Sequence, residues 1–147
     1  MKTKICTTAE QSKYLLNLGL SFDTADMHYY KDNFGSYIEG LYNSNDLKEG
    51  FELKGIEYIP AWSLGALLDL TPQRILRKDK VHNEMAYVPS YRRIITPTSI
   101  FYSDGNNTMD YIQFSYGENG TDLTDATFKM ICWLFKNGYI KAEKSSL

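Results

Sequence analysis

The sequence predicts an α+β domain: an antiparallel sheet with about three helices packed on it, with residues 1–147 forming a single unit. Three observations carry this. Apolar residues recur with helical spacing near both ends and in the middle, and the segments between them alternate in the manner of strands. The order helix, strands, helix, strands, helix lacks the regular alternation that builds a parallel sheet. Twelve Tyr, seven Phe and two Trp make up 14% of the chain, and many of the tyrosines fall in short alternating runs that suit a half-buried pleated surface.

The first helix follows Thr7-Thr8-Ala9-Glu10-Gln11. Either threonine can cap, and Glu10 or Gln11 stands three residues on, as a capping box requires. Leu15, Leu16 and Leu18 give it an apolar side, and Gly19 stops it because glycine takes the left-handed conformation without steric cost. Residues 27–30 and 37–42 read as strands joined by a turn at 31–35, with a polar loop at 43–46 and further strand character at 51–53 and 56–58. Pro60 is expected to open the second helix, where a missing N–H costs nothing. Leu64, Leu67 and Leu68, with Trp62, form its apolar cluster, and Pro72 forbids continuation by driving Thr71 out of helical space.

Residues 73–97 are basic and carry Pro89 and Pro97; a loop or edge strand is expected around 85–88 and another around 92–95. Ile100–Tyr102 and Met109–Tyr116 flank Asp104-Gly105-Asn106-Asn107, the strongest hairpin signal in the chain. Within the second strand Ile112, Phe114 and Tyr116 make the more apolar face. The last helix is expected from Leu123 to Asn137, capped by Asp122 or Thr121 and ended by Gly138. Its apolar face is unusually wide. Phe128, Ile131, Cys132 and Phe135 form one stripe, Leu123, Met130, Trp133 and Leu134 widen it, and only a strip through Asp125, Lys129 and Lys136 is plainly solvated. Such a helix is either central to the core or buries a side against another chain.

Composition excludes some classes. The net charge of -2 argues against a nucleic-acid binder, which is usually basic. Two cysteines, Cys6 and Cys132, are too few for a disulfide scaffold. No apolar run of signal-peptide length follows the N-terminus, and lysines interrupt the apolar segment at 126–135. The expectation is a cytoplasmic protein with reduced thiols and no membrane association.

A search for chemistry finds no catalytic residues and no cofactor motif. Ala61-Trp62-Ser63-Leu64-Gly65 is a degenerate nucleophile elbow, but the only histidine after it is His82, so Ser63 reads as a first-turn helix residue. Asp23, Asp26 and His28, or Cys6, Cys132 and His82, lack the spacing of a metal site, and no P-loop occurs. What remains is charge asymmetry. Six basic residues face two acids between Arg74 and Arg93, while five acids and no Lys or Arg fall between Asp104 and Asp125. Ordinary solvated faces account for this, as does a contact between the two patches across a dimer. A third reading is a basic pocket in which Lys78, Arg92 and Arg93 grip an anionic small molecule such as a nucleotide signal and Tyr91 stacks on it.

Three stretches, TAEQSKYLLNLGL followed by TADM (8–27), IPAWSLGALLDLTP (59–72) and TDATFKMICWLFKNGYI (124–140), resemble a family of short proteins of gut Bacteroides-like bacteria and their prophages and mobile elements. The resemblance covers well under half of the chain. It implies a bacterial or phage setting and carries no functional residue with it. The expectation is therefore a non-enzymatic phage or mobile-element accessory protein that binds a host protein and forms a homodimer through Phe128, Ile131, Trp133 and Phe135. The alternative is a binder that sequesters a nucleotide signal.

Overall fold

The computed structural model describes residues 4–31, 37–41, 58–76, 90–103, 110–115 and 122–141. These form α1 (Ala9–Leu18), a 3-10 turn (Phe22–Thr24), β1 (Met27–Lys31), β2 (Tyr37–Leu41), β3 (Tyr58–Ala61), α2 (Leu64–Leu70), β4 (Arg74–Leu76), β5 (Ser90–Ile95), β6 (Ser99–Ser103), β7 (Asp110–Ser115) and α3 (Leu123–Lys136). The α+β class and the antiparallel pairing agree with the sequence reading. The strands, however, divide into two sheets: one of order β2-β1-β3 and one of order β4-β5-β6-β7. The break falls where the chain leaves β3 through Trp62, which is fully buried among helices, and enters α2.

Local chemistry places the ends of the helices. At α1 the Thr8 hydroxyl accepts from Gln11 N–H at 3.1 Å and the Gln11 amide oxygen accepts from Thr8 N–H at 3.0 Å, a complete capping box. Gly19, at φ 101°, closes the helix. Its N–H donates to the Leu16 carbonyl, and Leu20 N–H reaches back to the Leu15 carbonyl, which is the Schellman pattern. Gly138, at φ 76°, repeats it at the end of α3, with Tyr139 N–H donating to the Leu134 carbonyl at 2.9 Å. The expected opening of α2 at Pro60 is corrected. Pro60 lies in β3 opposite His28, at a sheet edge where a missing donor is tolerated, and the N-cap is Ser63.

The hairpin at β6 and β7 pairs as expected, Ile100 facing Phe114 and Tyr102 facing Ile112. Ile112 and Phe114 pack inward while Gln113 and Ser115 are exposed. β4, a basic three-residue strand, went unread in the sequence, being too short to show a period; it pairs Ile75 with Tyr91 of β5. The expected loop or edge strand at 85–88, the loop at 43–46, the strand at 51–53 and the turn residues 104–107 lie outside the described residues.

The width of the apolar face of α3 has a direct cause: the helix separates two cores. Ala126, Met130 and Leu134, all fully buried, pack with Ile75, Tyr91, Ile100 and Tyr102 of the four-stranded sheet. A little under half a turn around the helix, Ile131 and Cys132 join Leu15, Leu20, Ala25, Trp62 and Leu67. Trp62 is also satisfied as a polar group. Its indole N–H donates to Thr24 Oγ1 at 2.9 Å, its backbone N–H to Thr7 Oγ1 at 3.1 Å, and its carbonyl accepts from Thr7 N–H. A third, small cluster joins Cys6, Met27 and Ala61 beside the three-stranded sheet.

Because the two larger cores share one helix, they should unfold together. Leu134→Ala in one core and Leu15→Ala in the other are each expected to lower stability by about 2–5 kcal/mol. Each should keep a single transition in which tryptophan fluorescence and circular dichroism coincide during urea unfolding. Gly19→Ala, which must hold a positive φ, is expected to cost about 1 kcal/mol in the same assay.

Candidate functional site

Once α3 has buried two sides, one strip of it remains. Phe128, Lys129, Cys132, Trp133 and Lys136 follow one another along that strip at helical spacing, with the two lysines exposed and Phe128 and Trp133 half-buried. Together with Glu10, Gln11 and Tyr14 of α1 and Phe114 of β7 they line an open groove of about 500 Å³. α3 forms its floor, and α1 and β7 form its walls. Tyr14 meets Phe128 edge to face at a ring separation of 6.0 Å yet stays 42% exposed. On the other side Trp133 stacks on Tyr139 at 5.4 Å. The groove is thus an aromatic channel with lysines along its floor. Its volume falls within the range of small-ligand sites, but its open form suits a protruding side chain equally well.

One end of the groove is held by the N-terminal segment. Asp122, the N-cap of α3, accepts from Asp125 N–H at 2.8 Å and from Lys4 N–H at 2.7 Å. Asp125 accepts from Lys4 Nζ at 2.7 Å and from Gln11 Nε2 at 2.9 Å. Burial acts to raise the Asp125 carboxyl, but the bonds from Lys4 and Gln11, with the Lys4 charge, outweigh it and hold the carboxyl below its ordinary range. Cys132 on the groove floor is pushed up by burial to about 11, so its thiol stays protonated and inert near neutral pH.

A second cleft, of about 630 Å³, lies at the start of α2 and is lined by Asp23, Thr24, Asp26, Ser63 and Asp69. It has the strand-turn-helix setting of a nucleophile elbow, but its serine is committed. The Ser63 hydroxyl donates in a short hydrogen bond to Asp26, which also accepts Ser63 N–H at 2.8 Å, and Ser63 Oγ accepts from Ala66 N–H at 3.2 Å. The pair caps α2. Ser63 therefore precedes the first turn rather than lying in it, and His82 lies outside the described residues. Among the described residues no group of three or more His, Cys, Asp or Glu side chains is arranged to hold a metal ion, and no helix is long and apolar enough to cross a membrane.

Of the four residues named for an anionic ligand, the three described do not converge. Tyr91 is buried against the sheet–helix core. Arg93 shares its face and turns inward, donating through Nη1 to the Leu68 carbonyl at 2.8 Å, to the Thr71 carbonyl at 3.2 Å and to Thr71 Oγ1 at 2.7 Å. It covers the negative end of α2. Arg92 is exposed and pairs in register with Arg74, on the opposite face because neighbours in a strand alternate. Lys78 lies outside the described residues. Of the four residues named for an interface, Phe128 and Trp133 line the groove, Phe135 packs half-buried on the three-helix core, and Ile131 is fully enclosed by its own subunit. Sequence reasoning missed Tyr14, Phe114, Lys129 and Lys136 as site residues. The signal for the lysines was present, since they mark the strip that the apolar face leaves open. Nothing in the sequence set Tyr14 beside Phe128.

Comparison of the chain with protein-family models, with curated proteins and with solved structures finds no match.

Arg93→Ala removes the donor to three oxygens at the end of α2 and is expected to cost about 2 kcal/mol. Arg92→Ala, exposed on the outer face, should stay within about 0.5 kcal/mol of the parent; urea midpoints for the two variants separate them. His28 provides a pH signature. It is buried beside Phe22 and Tyr58, each at a ring separation of 5.7 Å, and burial holds its pKa below the ordinary 6.5 against the opposing pull of Asp26. The folded state therefore resists a proton that the unfolded state accepts. Its stabilisation is present above about pH 6.5 and lost as the pH falls toward the folded value. Between about pH 7 and about pH 5 the parent should lose more stability than His28→Phe, as read from urea midpoints at each pH.

Proposed function

We propose that this chain is a non-enzymatic accessory protein, of the kind carried by phages and mobile elements of gut bacteria, that acts by docking a host protein in the groove between α1, α3 and β7. The observation that carries the reading is the convergence of Tyr14, Phe114, Phe128 and Trp133 on one open channel. Aromatic anchors around a concavity are the surface most often found where proteins bind one another. Ser63 and Asp26 of the second cleft are engaged in capping, and that supports reading the molecule as a binder rather than a catalyst. The resemblance of residues 8–27, 59–72 and 124–140 to proteins of gut bacteria and their phages supports the setting. Segments of that resemblance also contribute the α1 wall and the α3 floor of the groove.

The test is site-specific photocrosslinking in a bacterial host lysate. A photoreactive residue at Lys129, on the groove floor, should give one stoichiometric adduct. The same residue at Asp69, exposed on α2, should give none, and Tyr14→Asp should abolish the Lys129 adduct. Equal labelling from both positions, or an adduct that survives Tyr14→Asp, would end the reading.

A further inference from the structure

We infer that the groove selects an acidic partner: a protein segment with an aliphatic or aromatic anchor flanked by two carboxylates about 10 Å apart. This rests on the docking reading above and adds the chemistry of the occupant.

Lys129 and Lys136 carry the argument. Both line the groove and both are exposed. They stand seven residues apart on one face of α3, which places their stems about 10 Å apart along the axis at 1.5 Å per residue. Among the described residues the ion pair is Lys4 with Asp125, so no described carboxylate answers either lysine. Between them, one turn from each, lie Cys132 and Trp133, the apolar floor. The sequence of chemistry along the groove is therefore cation, apolar seat, cation. Its complement is acid, apolar anchor, acid. A partner helix supplies that with carboxylates two turns apart and an anchor midway. Glu10, exposed at the α1 rim, is the acid among the lining residues, and it disfavours a uniformly acidic ligand.

Charge also decides between occupants. A second copy seated face to face on the same strip would bring its own Lys129 and Lys136 into the contact and double the positive charge there, and such like-charge juxtaposition opposes association. The acidic segment of another protein removes that repulsion.

The experiment is selection of a displayed random-peptide library on the parent and on Lys129→Glu/Lys136→Glu, whose substitutions fall at exposed positions. The parent should enrich Asp and Glu on both sides of a Leu, Ile or Phe. Those peptides should bind the double variant about tenfold more weakly, two exposed ion pairs each contributing roughly threefold. The variant should enrich Lys and Arg instead. The same charge preference on both baits, parent-selected peptides that bind the variant within about twofold, or recovery of no peptide sensitive to Tyr14→Asp would each overturn the inference. Titration against Tyr14→Asp separates the two levels. Peptides of any charge that lose affinity there keep the docking reading, and if they carry no acidic preference only the partner class falls. Acidic peptides that bind Tyr14→Asp undiminished place the site elsewhere, and both readings fall. A parent dimer by light scattering that Tyr14→Asp dissolves would make a second copy the occupant and overturn the acidic partner.

Discussion

The molecule depends on α3 being buried on two sides. A helix that faces one sheet needs an apolar stripe of roughly 100°; α3 presents Ala126, Met130 and Leu134 to one core and Ile131 and Cys132 to another. Neither core is large. The first is closed by α1 and α2 and the second by a four-stranded sheet, and each would be marginal with its share of α3 removed. Fixing this helix is accordingly where local chemistry concentrates. Asp122 caps its start, Lys4 and Gln11 tie its first turn to the N-terminal segment, and Gly138 closes its end.

The same constraint creates the groove. A helix walled on two sides has a single strip left for solvent, and the strip is bordered by whatever the two cores cannot fully cover. On one border that is Phe128, half-buried with its ring edge to face against Tyr14; on the other it is Trp133, which stacks on Tyr139 and remains partly open. The channel is therefore a by-product of packing that became a surface of defined chemistry once lysines occupied its floor. Lysine suits that place because its stem can lie on apolar neighbours while its ammonium stays in water.

Much of the fold was legible in the sequence, for stated reasons. Caps and stops are short-range chemistry, so the Thr7–Thr8 and Thr121–Asp122 pairs, Gly19 and Gly138 identified helix ends without reference to anything distant. The hairpin of β6 and β7 was legible because alternation and a turn signal coincide there. The start of α2 was misread because Pro60 suits a helix start and an edge strand equally. Only the capping pair of Asp26 and Ser63, 37 positions apart, decides for Ser63. The division into two sheets was not legible, since pairing order is a long-range property. The site was half legible. The over-wide face of α3 pointed to the helix that floors the groove and left two explanations open. The structure shows that most of the width serves the interior, which removes Ile131 from any outer surface. Arg92 and Arg93 show the reverse error. Adjacency in sequence suggested a joint grip on an anion, and strand geometry sends the two side chains to opposite faces.

The side chains most able to do chemistry are largely engaged in holding the backbone. Ser63 and Asp26 cap α2, Arg93 covers its far end, Thr7 and Thr24 satisfy Trp62, and Asp122 and Asp125 anchor the first turn of α3. Each fills a hydrogen-bonding need that burial would otherwise leave open, at about 1–3 kcal/mol per unsatisfied group. A nucleophile or general base needs the opposite condition, a polar atom whose native partner can be exchanged for substrate during turnover. Among the described residues, the open strip of α3 sets apolar area beside two ammonium groups that no described carboxylate pairs with. Shape and charge at that strip can be matched by another surface without disturbing any bond that maintains the fold, and that is the physical reason to look for its activity in what it holds rather than in what it converts.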